Sequence, residues 1–247
     1  MSRVMRIPTH AATALQRFSA AVVAGAVTGL VVGGVGGRLA MLVLRLTSGP
    51  GVNGVVSDDG FVMGRVTLSG TLSLLGVATA IGVLGALVHR LVVPWLIGPR
   101  WFRRLTTAAG SGIVVGAMLV HTTGVDFTRL RPVGLAIALF VAVPALYGAL
   151  IGPVQEYCDR PDSWLNRHPV RRWAVPVVTV GVLFPLAPFL VVLFLVTWAW
   201  TASSEGLSWG ADWTRAQPVA AVVARVPWVA IVALGLADLV RDATTLA

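Results

Sequence analysis

From Phe18 to Gly37 the chain runs for 20 residues without a charge. A helix of that length rises about 30 Å, the thickness of a bilayer's hydrocarbon core. Such a run has no polar face to leave in water. In lipid it must pair its backbone groups internally, which a helix does. Further runs of this kind follow, each bounded by arginine or proline. They restrict the chain to an all-α, polytopic membrane helix bundle, one integral membrane domain over residues 1–247.

Composition agrees. Apolar residues make up 56% and charged residues 12%, with mean hydropathy +0.84, where soluble domains carry about 25% charged residues. All 19 basic residues are arginine, for a net charge of +9. They cluster at the ends of apolar runs, as orientation signals do, which argues against a nucleic-acid partner. Cys158 is the sole cysteine, so no internal disulfide forms. The first run is longer than the 7–15 residues of a signal-peptide core and reads as an uncleaved span.

Six spans are expected, at about 18–46, 67–89, 105–124, 133–153, 174–199 and 218–238, in three in–out–in hairpins. Twelve arginines fall on one side: Arg3, Arg6 and Arg17; Arg90, Arg100, Arg103 and Arg104; Arg160, Arg167, Arg171 and Arg172; and Arg241. Six fall on the other: Arg38, Arg45, Arg65, Arg129, Arg131 and Arg215. The bias places both termini in the cytoplasm of a cell membrane protein. Trp95, Trp101, Trp173, Trp198 and Trp200 lie near span ends, as interfacial aromatic belts do.

One eight-residue phrase is written twice: DFTRLRPV (126–133) and DWTRAQPV (212–219). A looser version, SDDGFVMGRVT (57–67), joins the first two spans. Each occurs where the chain turns back into the bilayer. The bland reading is a helix-start cassette. Asp caps free N–H groups, proline takes the first helical position, and arginine pairs with the Asp one turn on. The sharper reading is an outer vestibule in which the Asp–Arg units Asp59–Arg65, Asp126–Arg129 and Asp212–Arg215 bind an ion or anionic solute.

Arg38, Arg45 and Arg225 are charges inside or beside spans, where a partner or wet cavity is the usual reason for them. Asp58, Asp59 and Asp212 are partners for Arg225 by depth. Arg38 and Arg225 join the candidate ligand site. Ala21, Gly25, Gly29, Gly33 and Gly37 place a small residue at every fourth position, a ridge for close helix packing within the chain or against another chain. His121 reads as a hydrogen-bonded helix residue. Pro185 and Pro188 should kink the fifth span. The segment 155–172 reads as a solvated connection. Asp58 and Asp59 lack the ligand spacing of a calcium loop. No P-loop, GxSxG or HExxH motif occurs. No catalytic, metal or cofactor site is assigned, and the chain leans away from an enzyme.

With SDDGFVMGRVT (57–67), a glycine-rich span and VDFTRLRP (125–132), the first 155 residues resemble uncharacterised polytopic membrane proteins of actinobacteria. That resemblance implies location and span pattern and brings no activity with it. The expected function is a small-solute or ion transporter or channel-like protein. The alternative is a membrane scaffold or subunit that binds another membrane protein, or its own copy, through the glycine ridge. A lipid-modifying enzyme comes third.

Overall fold

The computed structural model describes residues 9–58, 60, 62–182, 192, 195–196, 199 and 218–246. They are helical, with α1 Thr9–Thr28, a π-helical segment Gly29–Gly36, α2 Gly37–Ser48, α3 Leu68–Val92, α4 Arg100–Leu119, α5 Val125–Arg129, α6 Val133–Asp159, α7 Pro169–Val182 and α8 Pro218–Leu246. Among the described residues, three helices are long and apolar enough to cross a membrane: Leu15–Ser48, Leu68–Trp95 and Val133–Asp159.

The expected set of six spans is therefore only partly seen. The 105–124 run is α4, which starts earlier, at Arg100. Arg100, Arg103 and Arg104 and a Thr- and Gly-rich stretch dilute its apolar character below that of the other three. Most of 174–199, with Pro185 and Pro188, lies outside the described residues. The segment 155–172 is not simply solvated. Helix α6 runs on to Asp159, and Gln155, Cys158, Ser163, Leu165 and Asn166 are buried.

Glycine sets how closely the helices approach. α1 and α3 cross antiparallel at Gly25, Gly29 and Gly82. A Cβ on Gly25 would stand 2.5 Å from the Gly82 carbonyl oxygen, and one on Gly29 would stand 2.8 Å from the Gly82 Cα. Gly33 and Gly34 continue the seam against Ala78 and Leu75, but Gly37 has nothing within 4 Å. The four-residue ridge assumes an α-helical pitch. Five glycines between 29 and 37 allow the wider i→i+5 turn, which rotates Gly37 off the seam. α4 and α6 likewise run antiparallel, with Gly112 and Gly116 against Val141 and Gly148 against Thr107 and Ser111.

The last helix runs opposite to expectation. Gly110 faces Val232 and Gly235 faces Ile113 and Val114, so α8 is parallel to α4. Arg225, near its start, donates from Nε to the Trp95 carbonyl oxygen at 3.1 Å, just beyond α3. Leu239, near its end, joins a core cluster with Leu44, Val52, Val120, Phe127 and Leu130, where α2 ends and α5 lies. The bundle thus has a Trp95 end and an Asp126 end. α1 starts at the first, where Phe18 packs on Leu87, whereas α8 finishes at the second. The two ends of the described chain lie at opposite ends of the bundle, in place of the expected common side. Asp58 is consequently too far from Arg225 to be its partner, because it sits at the Asp126 end.

Candidate functional site

The Asp126 end is built from three connections. The α2–α3 loop folds back on itself, with Met63 N–H donating to the Val55 carbonyl at 2.7 Å and Gly54 N–H to the Met63 carbonyl at 2.9 Å. Gly64 has φ +82°, and a side chain there would collide with Asn53, so only glycine allows the turn that leads into Arg65. The loop ends at Thr67, whose hydroxyl caps α3 by accepting from the Gly70 N–H at 3.1 Å.

The phrase at 126–133 works differently from a self-contained cassette. The helix Val125–Arg129 is capped from the other loop: Asp58 accepts from the Val125 and Asp126 N–H groups at 3.0 and 3.1 Å. Its two carboxylate oxygens meet the positive end of α5, so the acid that satisfies this helix lies 67 residues upstream. Asp126 itself is only 6% exposed. Arg129 is exposed and takes part in neither ion pair found among the described residues, Arg90–Asp159 and Arg104–Glu156. Pro132 stands one position before α6 rather than in its first turn. Phe127 is buried edge-on against Phe140, with ring centroids 5.0 Å apart.

Between these connections and α2 lies a cavity of about 130 Å³, room for several waters or a small anion. Arg38 and Arg45 enter from α2, Arg65 from the α2–α3 loop, and Asp126 and Leu130 from the α5 region. Met41, Leu42, Val62, Met63 and Phe140 supply apolar wall. Arg38 is half-buried, with Nε and Nη2 shielded from solvent, whereas Arg45 and Arg65 are exposed. Three arginines and one aspartate are thus among the described lining residues. In a low-dielectric setting an excess of fixed cations attracts an anion far more strongly than in water.

Of the expected ligand residues, Arg38, Arg65 and Asp126 share this cavity. Arg129 is outside its lining, and Arg225 lies at the other end of the bundle. Asp59, Asp212 and Arg215 lie outside the described residues. Arg45 was visible as a costly charge, yet only the seven-residue spacing from Arg38 on one helix explains why it joins the same site. His121 follows the end of α4 and is exposed.

The Trp95 end holds a second polar group set, engaged in pinning helices together. The Arg90 Nη2 donates to both Asp159 oxygens at 3.0 and 2.9 Å. Gln155 donates to the Ala86 carbonyl at 2.7 Å and meets His89 Nδ1 at 2.9 Å. Nearer the middle of both helices, Tyr147 donates to the Gly82 carbonyl at 2.5 Å. All four residue pairs tie α3 to α6. None was legible in the sequence, because Gln155 lay beyond the expected span and amide partners have no spacing rule.

Comparison of the chain with protein-family models, with curated proteins and with solved structures finds no match.

Proposed function

We propose that this is a multi-pass membrane protein that binds an anionic solute at the Asp126 end, as a transporter or channel-like protein does. The observation that carries this reading is the convergence of Arg38, Arg45 and Arg65 from two chain segments on one cavity in a bundle with so few charges. Charged side chains at membrane depth are costly and mark ligand or ion pathways by default. The scaffold reading is weaker. The glycine ridge is covered by α3 of the same chain at Gly25, Gly29 and Gly33, so a second chain would need another face.

In this reading α4 and α8 also cross the bilayer. α4 lies along α6 and α8, which cover its small residues. The arginine-rich Trp95 end faces the cytoplasm of the cell membrane, as charge bias dictates.

The test is a thermal-unfolding screen of the purified protein against a panel of soluble and amphiphilic anions. A ligand present at about 100 times its Kd stabilises by about 2.7 kcal/mol. At least one anion should stabilise the wild type, and Arg38→Ala should abolish that shift, whereas Asp126→Asn, which removes the opposing carboxylate, should keep or enlarge it. A panel without effect, or a shift that survives Arg38→Ala, would refute the anion site.

A further inference from the structure

We infer that the anion is the headgroup of an anionic phospholipid, entering from the bilayer side. This narrows the anion-site reading above and depends on it. Leu42 lines the cavity and also belongs to an exposed stripe on α2: Leu39, Leu42 and Leu46, each 47–73% exposed. Their spacing of three and four residues keeps them on one helix face. In a bilayer that face lies against acyl chains. The stripe covers about 10 Å of depth.

Arg38 and Arg45 stand four residues before and three after Leu42, so the two guanidiniums bracket the point where the stripe reaches the cavity. On the facing wall, Arg65 is followed by Val66, 81% exposed, which leads to exposed Leu68 and Leu72 on α3. Apolar surface open to lipid therefore leaves the cluster of cations on both sides.

The wall chemistry selects between two anion sources. A soluble anion in this cavity would turn its remaining polar atoms toward Leu42, Met63 and Phe140, where nothing replaces their water. A phosphodiester presents two unesterified oxygens to the arginines while its chains follow the Leu42 stripe. Arg45 and Arg65, both exposed and on facing walls, present their charges to those oxygens.

The experiment measures binding of phosphatidylglycerol, phosphatidylcholine and water-soluble glycerol phosphate to the full chain in detergent, by native mass spectrometry and melting shift. Arg45 and Arg65 are exposed, so Arg45→Gln/Arg65→Gln should still fold. Arg45→Lys/Arg65→Lys, which keeps the charge, serves as the second variant. An arginine near an anionic lipid contributes about 1 kcal/mol, or roughly fivefold in Kd, so the double Gln variant should weaken phosphatidylglycerol binding about thirtyfold. The Lys variant should retain most of it. Preference for phosphatidylglycerol over phosphatidylcholine, with glycerol phosphate inert, supports the proposal. Equal binding of glycerol phosphate, lost in the Gln variant, overturns the lipid assignment and leaves the anion site standing. Phosphatidylcholine binding as tight as phosphatidylglycerol, or indifference to the Gln substitutions, overturns both.

Discussion

Replacing Gly82 by alanine isolates the contact between α1 and α3. The new methyl would sit closer to the Gly25 carbonyl oxygen than real contacts allow, with the Gly29 Cα at 2.6 Å and the Gly29 N at 3.0 Å. All three obstacles are backbone, so no side chain can swing aside; the helices must part by about 1 Å to restore ordinary separations. Overpacking of this kind costs about 1–3 kcal/mol, and a rigid backbone obstacle places it in the upper part of that range. Alanine returns about 1 kcal/mol through its better helix propensity. The net expectation is a loss of about 1–2 kcal/mol. Gly37→Ala provides the control, because the same methyl meets nothing within 4 Å there. It should be neutral or stabilise by up to about 1 kcal/mol. Unfolding of both variants in one detergent, by denaturant titration with a helical signal, measures the difference. Equal stability of the two, or a Gly82→Ala protein as stable as wild type, would show that α1 and α3 do not cross at this glycine.

Asp58→Ala removes the acceptor for two N–H groups of α5 and should cost about 1–2 kcal/mol by the same titration, more than Asp58→Asn, which keeps one acceptor oxygen. Direction of the last helix is open to disulfide trapping in a Cys158→Ser background. A Gly110→Cys/Val232→Cys pair should cross-link on mild oxidation, since a Gly110 Cβ would lie 3.8 Å from Val232 Cγ2. An Ala117→Cys/Arg225→Cys pair should not, because those residues lie toward opposite ends of the bundle; cross-linking of that pair as well would restore the antiparallel arrangement, which brings both pairs together.

The parts of the fold that depend on solvent preference are legible in the sequence. Runs such as 67–89 and 133–153 lie inside the observed helices Leu68–Val92 and Val133–Asp159 because length and apolarity suffice to define them. The 105–124 run overlaps α4, Arg100–Leu119, but both its ends are displaced, because three arginines belong to the helix start and Val120 ends it. The direction of α8 is hidden for a definite reason. Arg225 and Arg241 stand near its opposite ends, so turning the helix over exchanges one arginine for another and leaves the charge bias almost unchanged.

The candidate site was half legible. Arg38 and Arg65 stood out as expensive charges, and Asp126 through its repeated phrase. Their meeting in one cavity depends on loop geometry at Gly64 and on Asp58 holding α5 in place, both tertiary facts. The phrase itself misleads about capping, because an Asp next to a helix start satisfies whichever N–H groups the fold brings near, and here that Asp comes from another loop.

The first helical rod is the most enclosed of the three apolar helices, with 61% of its apolar window buried against 28% and 17% for the others. It touches α3, α6 and α7, and it precedes all of them in the chain. During synthesis, then, the central post is laid down before any of the walls. α3, α6 and α7 each meet a surface already waiting in the membrane, and α3, the nearest in sequence, is the one with the matching glycine. α4 instead precedes its partners: it must wait for α6, the helix that joins it to the central post.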